Sequence, residues 1–136
     1  MRLTVDTNPI ISALLRDSTC RRILLSENLE FNSPQVVLEE IEKYRLELCK
    51  RSGYTEGELA SILDLILNNV QIVPDEKLLE YLEKADEIIG KIDEKDSQFV
   101  AACLATNSEG IWTFDRHFEK QDKIRVFKLE ELLEIT

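Results

Sequence analysis

Apolar residues along the chain fall into short blocks separated by longer amphipathic stretches. Leu3-Thr4-Val5 is a brief apolar run that opens directly into Asp6-Thr7-Asn8-Pro9. Proline is favoured in the first turn of a helix, where its missing N–H is no loss. The pattern therefore predicts a strand, a tight turn and a helix from Ile10 to about Leu15. Ser18 or Thr19 can cap a second short helix through Leu25. A strand is expected at Leu29 to Asn32. Ser33-Pro34 then repeats the cap-and-proline signal and predicts one long helix to about Arg51, stopped at Gly53. Thr55-Glu56-Gly57-Glu58 is a capping box that starts a helix to about Asn68. Val70 to Val73 reads as a strand ended by Pro74. Leu78 to Ile89 and Asp96 to Asn107 read as helices. Ile111 to Phe114 is a buried strand ending at Asp115, and Arg125 to Phe127 is a last strand before a short terminal helix.

Strands separated by helices point to a parallel sheet with helices on both faces. At 136 residues the chain fits one domain, residues 1–136, with no internal repeat or linker. In such folds the working cleft lies beyond the C-terminal ends of the strands, where the strand order reverses. Residues just past a strand are therefore the first candidates for chemistry.

Composition narrows the classes. The formal net charge is −10, which disfavours a protein that holds nucleic acid by bulk positive charge. Carboxylates gathered to hold divalent cations stay allowed. The longest uncharged stretch, Ser97 to Ser108, is too short to span a membrane. Asp6 stands where a signal peptide would be apolar. The expectation is an intracellular, cytoplasmic protein. Cys20, Cys49 and Cys103 are scattered and form no ligand pair, so they read as small buried apolar residues.

Four acids could converge. Asp6 follows the first expected strand and Asp115 the fourth, while Asp93 and Asp96 lie in a turn before a buried helix. A parallel sheet puts all four on one edge. Each has a plain alternative, because aspartate is among the best helix N-caps. Clustered like charges are unfavourable without a compensating cation, and hard oxygen ligands suit Mg²⁺ or Mn²⁺. In the long helix, Val37, Ile41, Tyr44 and Leu48 form the apolar stripe. At about 100° per residue, Glu40 falls at its border, while Glu39 and Glu42 face solvent. Glu40 is thus the helix acid placed to reach inward, with a pairing to Lys43 or Tyr44 as the alternative.

Val5-Asp6-Thr7-Asn8, Ser33 through Glu40-Ile41, Asp93-Glu94-Lys95-Asp96 and Trp112-Thr113-Phe114-Asp115, in this order, resemble a PIN domain. The resemblance covers nearly the whole chain and extends to the small prokaryotic PIN proteins that are toxin components of toxin–antitoxin pairs. It implies a three-layer α/β/α domain with a central, mostly parallel sheet of four to five strands. It further implies a metal-dependent endoribonuclease using Mg²⁺ or Mn²⁺. The family acids map onto Asp6, Glu40, Asp96 and Asp115, which would serve as catalytic metal ligands, with Asp93 as an auxiliary. Asn8 and Thr113 match supporting polar positions. RNA is the implied substrate, and a protein antitoxin and a homodimer are the implied partners. Val36, Val37, Ile62, Leu65 and Ile66 could offer a groove for either, although core packing explains them more cheaply.

RNA must approach a strongly acidic chain. Lys43 to Arg51 and Arg116 to Arg125 are locally basic, which makes Lys43 and Arg116 candidates for phosphate contact and Arg21 and Arg22 further ones. His117, the sole histidine, is left outside the site. Competing readings are a non-catalytic PIN-like module that binds metal or RNA and a receiver-type signalling domain. The second lacks its pair of adjacent acids after the first strand. An Asp-x-Asp phosphatase is excluded because position 8 is Asn.

Overall fold

The computed structural model describes residues 1–15, 18–90 and 94–136. Asp93, expected as an auxiliary acid, lies outside the described residues. The chain runs β1 (Arg2–Val5), α1 (Thr7–Ala13), α2 (Thr19–Leu24), β2 (Glu30–Pro34), α3 (Val36–Lys43), α4 (Arg45–Ser52), α5 (Glu56–Leu67) and β3 (Val70–Val73). It continues through α6 (Asp75–Leu78), a 3₁₀ turn (Leu79–Tyr81), α7 (Leu82–Ile89), α8 (Glu94–Ala105) and β4 (Gly110–Trp112). A second 3₁₀ turn (Arg116–Lys120), β5 (Val126–Phe127) and α9 (Leu129–Ile135) complete it.

The sheet has five strands in the order β3-β2-β1-β4-β5, and every pairing is parallel. From β1 the chain moves outward through β2 to β3, then returns to β4 on the other flank of β1. The strand order therefore reverses between β1 and β4. Right-handed crossovers put the helices before and after that reversal on opposite faces. One layer is built on α1, α2, α3 and α5. In the other, α8 lies against β1, β2 and β4, with α6 and α7 packed on it. This is the three-layer α/β/α architecture that the sequence pointed to.

The core fills both interfaces. Trp112, Phe99, Phe118 and Phe127 are fully buried, and Trp112 stacks at a tilt on Phe31, 5.8 Å between centroids. Ala101 and Ala102 of α8 are buried as well. Such small side chains let a helix lie close to a sheet. Gly110 permits the same closeness between β4 and β5, since a Cβ there would stand 2.3 Å from the Arg125 carbonyl oxygen.

Several expectations need correction. Ser33-Pro34 does not open a helix. Both residues extend β2, opposite Ile72 and Val73, and Pro34 is tolerated because the pairing with β1 has already ended at Asn32, leaving no ladder bond there for its missing N–H. The long helix expected to Arg51 is two helices broken at Tyr44, whose backbone leaves helical geometry at φ −101°, ψ 4°. Val37, Ile41 and Leu48 keep the buried stripe across the break, while Tyr44 turns out to solvent. The helix expected at Leu78 to Ile89 is divided by the 3₁₀ turn Leu79–Tyr81. Gly53 does stop α4, in the left-handed conformation at φ 78°. The Thr55–Glu58 capping box forms, with the Glu58 amide donating to Thr55 Oγ1 and the Thr55 amide to Glu58 Oε1. Of the positions weighed as a partner groove, Val37 and Ile66 are core, and Leu65 is 49% exposed. Cys20 and Cys103 are buried, and Cys49 is partly so.

Candidate metal centre

Register decides what meets at the reversal point. Val5 pairs with Trp112, so Asp6 and Thr113 emerge side by side from β1 and β4. Asp6 keeps extended backbone (φ −74°, ψ 168°), and its amide still donates to the Trp112 carbonyl at 2.9 Å. One carboxylate oxygen accepts the Thr7 amide at 2.8 Å, which caps α1. The other accepts the Thr113 hydroxyl at 2.7 Å. That hydroxyl in turn accepts the Asp115 amide at 2.9 Å. The bond explains why β4 ends at Trp112 rather than Phe114. Thr113 folds inward to serve Asp6, and Phe114 is left 43% exposed, its ring edge-on to Trp112.

Asp115 Oδ1 accepts the His117 amide at 2.9 Å and caps the second 3₁₀ turn. That turn carries the His117 ring back over the sheet edge, where Nδ1 lies 2.6 Å from Asp96 Oδ2. Asp96 sits inside the first turn of α8, because the helix already includes Glu94. It is only 9% exposed. Asp96, Asp115 and His117 each offer a ligand atom, and all three atoms lie within 4.8 Å of one another. Sequence reading missed His117. The available signal was its position two residues after a strand-end aspartate, where a capped turn folds it back.

Electrostatics tie Asp6 and Glu40 to this group. Asp6 is 8% exposed. Burial pushes its carboxyl from the ordinary 3.8 to about 6, against the hydrogen bonds from Thr113 and Thr7 that pull it down. The negative charges of Glu40 and Asp96 push it further up. Glu40, on α3, is half-buried and shares a cavity of about 190 Å³ with Thr7, Asn8, Tyr44 and Arg51. Thr7 Oγ1 is buried there without a hydrogen-bond partner among the described residues. On the other side, Asp115 lines a cavity of about 300 Å³ with Thr113, Arg116 and Lys128. A larger cavity, about 630 Å³, opens away from these residues beside Arg2, Gln71 and Thr106.

The cationic candidates divide. Arg116 stands in the Asp115 cavity. Lys43 does not line the Glu40 cavity; its ammonium lies over the Tyr44 ring, 6.0 Å from the centroid. Arg51, four residues beyond Glu47, takes that place. Arg21 is structural, since its guanidinium donates to the Ala13 and Leu15 carbonyls at 2.8 and 2.7 Å and closes the end of α1. Arg45 is held by Glu42 and Glu56.

The donor set suits a divalent cation. It combines hard carboxylate oxygens with one imidazole, and Asp6 is a buried carboxyl whose charged form is disfavoured by burial and by its acidic neighbours. A cation bound beside it would offset that penalty and pull the Asp6 carboxyl back down.

The PIN domain family model matches residues 4–131. The chain belongs to the PIN domain family. Its fold agrees with that assignment. A chain of the VapBC2 complex from Rickettsia felis, solved bound to a DNA fragment from their promoter, superposes with a TM-score of 0.71. It is 17% identical, and the match covers 94% of this PIN chain and 98% of that one. None of the curated proteins matches the sequence. No helix among the described residues of this PIN domain is long and apolar enough to cross a membrane.

Proposed function

We propose that this PIN domain is a metal-dependent endoribonuclease. It hydrolyses RNA phosphodiester bonds at a centre formed by Asp6, Glu40, Asp96 and Asp115. The observation that carries the reading is the Asp6 arrangement. A buried carboxylate is fixed by two hydrogen bonds at the reversal point of the sheet, within the field of Glu40 and Asp96. Metal-free, that arrangement is unfavourable for the fold, and it becomes favourable once a cation is bound.

Held by these residues, Mg²⁺ or Mn²⁺ would supply a water of lowered pKa and positive charge to offset that on a scissile phosphate. The chain's own residues do the rest. Thr113 holds the Asp6 carboxylate in one orientation while tying down the Asp115 backbone. Before an ion enters, His117 holds Asp96 Oδ2 in place. Asn8, exposed on α1 beside Glu40, offers an amide to sugar or phosphate. Arg116 on one side and Arg51 on the other give an RNA strand two cationic rests, one in each flanking cavity. They offset locally a net charge that otherwise repels the substrate.

The whole chain acts as one PIN domain inside the cell, and the reading extends to the toxin half of a toxin–antitoxin pair. The VapBC2 likeness supports an antitoxin protein as partner, with a homodimer as the assembly that it would hold. The test is cleavage of a labelled single-stranded RNA with Mn²⁺, Mg²⁺ or chelator, comparing the natural chain with Asp96→Asn. Metal-dependent cutting that the variant loses supports the nuclease. A folded, metal-bound natural chain that leaves RNA intact would overturn it and favour a module that only binds.

A further inference from the structure

The geometry points to His117 as a direct nitrogen ligand of the metal in this centre, which makes the site select a first-row transition ion such as Mn²⁺ over Mg²⁺. The inference rests on the metal centre of the proposed function, and it adds a donor that the four acids do not include. Three observations carry it. His117 Nδ1 is 2.6 Å from Asp96 Oδ2. Asp115 stands in the same cluster, with all three ligand atoms within 4.8 Å of one another. The ring is held in place from its own backbone, because its amide donates to Asp115 Oδ1.

Those spacings bracket what a shared ion needs. Adjacent ligands of an octahedral cation with bonds of about 2.1 Å lie about 3 Å apart, and opposite ones about 4.2 Å. Asp96 and His117 stand at hydrogen-bond distance, so an ion entering between them replaces that hydrogen bond as the two atoms part by about 0.4 Å. The chemistry of the donor then sets the preference. Mg²⁺ is hard and is usually held by carboxylates, phosphates and water. Imidazole is a borderline donor that first-row transition ions accept readily. A centre built of carboxylates alone would discriminate little between Mg²⁺ and Mn²⁺. One imidazole in the ligand sphere tilts it.

The experiment uses the untagged chain, loaded with Mn²⁺ and examined by pulsed EPR for hyperfine coupling to an imidazole nitrogen. His117 is the sole histidine, so such a coupling has one source. Calorimetric titration with Mn²⁺ and with Mg²⁺ accompanies it, for the natural chain and for His117→Gln. The glutamine amide keeps a hydrogen bond to Asp96 while withdrawing the nitrogen ligand. The expected result is a nitrogen coupling in the natural chain that the variant lacks. The ratio of Mn²⁺ to Mg²⁺ affinity should fall about tenfold or more in the variant. Bound Mn²⁺ with no imidazole coupling in the natural chain overturns the inference, whatever the variant does, and leaves the nuclease reading standing. A clear coupling in a chain that cuts no RNA supports the ligand and defeats the nuclease. Absence of Mn²⁺ binding overturns both.

Discussion

Removing the charge of Asp6 should stabilise the metal-free fold while destroying its function. The Asp6 carboxyl is pushed from 3.8 to about 6, chiefly by burial. A folded pKa above the unfolded one means that the folded chain binds more protons between about pH 4 and 6. Stability from this group is therefore full below about pH 4 and is lost as pH rises through 6. Each tenfold in the protonation equilibrium is about 1.4 kcal/mol, so holding the charged form at pH 7.5 costs the fold about 3 kcal/mol. Asp6→Asn keeps the shape and removes the charge. Its single oxygen can accept from Thr7 N–H or from the Thr113 hydroxyl but not from both, a loss of about 1 kcal/mol. The net expectation is a gain of about 2 kcal/mol at pH 7.5, or about 8 °C in melting temperature for a chain of this length.

Thermal unfolding in chelator, run from pH 4 to pH 8 on both proteins, measures this directly. Other titrating groups largely cancel in the difference, since only position 6 changes. The advantage of the asparagine variant should shrink toward pH 4, where the natural aspartate is protonated in the fold, and the order should reverse there. Added Mn²⁺ should also reverse the order at pH 7.5. At a hundred times its dissociation constant, a ligand stabilises the natural chain by about 2.7 kcal/mol, and on the proposed site the variant gains none of this. An asparagine variant that is less stable at pH 7.5 in chelator, or a difference independent of pH, would refute the argument.

Two further outcomes follow from the same geometry. Thr113→Val leaves the Asp115 amide and one Asp6 oxygen without their partner, pushes the Asp6 carboxyl further up, and should weaken Mn²⁺ binding about 10- to 100-fold by calorimetry; natural affinity in this variant would show that the hydroxyl does not position Asp6. Gly110→Ala puts a Cβ against the Arg125 carbonyl and the Phe127 ring and should cost about 3 kcal/mol in urea unfolding; a cost under about 1 kcal/mol would mean that β5 yields freely.

The parallel sheet was legible because each strand is a short apolar run that ends in a turn signal, and right-handed connection leaves few ways to order such runs. All five expected strands exist, and shifts of one to two residues at their ends account for most of the boundary differences. The break at Tyr44 was not legible. No proline or glycine marks it, and the buried positions Val37, Ile41 and Leu48 read the same through a bent helix as through a straight one. The 3₁₀ turn at Leu79–Tyr81 is hidden for a similar reason, since its residues are ordinary helix formers. His117 was missed because its meaning lies in Asp96, 21 residues earlier, and only the register of β4 against β1 brings α8 and the second 3₁₀ turn together.

The aspartates show a deeper reason why function is hard to read from a chain of this kind. An N-cap must be extended in backbone and must offer a side-chain oxygen to the turn that follows. A residue that leaves a parallel strand to start a helix is already extended, as Asp6 (ψ 168°) and Asp115 (ψ 114°) are. The cap takes one carboxylate oxygen: Asp6 Oδ1 accepts Thr7 N–H, and Asp115 Oδ1 accepts His117 N–H. The second oxygen is left over from the cap, and in Asp6 it accepts the Thr113 hydroxyl at the C-terminal edge of the sheet, where a ligand sits in folds of this class. The capping role and the proposed metal role thus select the same residue type at the same position, and the cap occupies only one of the two carboxylate oxygens. What separates them is burial among other acids. A cap on the surface can be charged at little cost, whereas Asp6, enclosed with Glu40 and Asp96 nearby, is charged at the expense of the fold. That expense is a property of the folded arrangement alone, which is why the structure supplies it and the sequence could not.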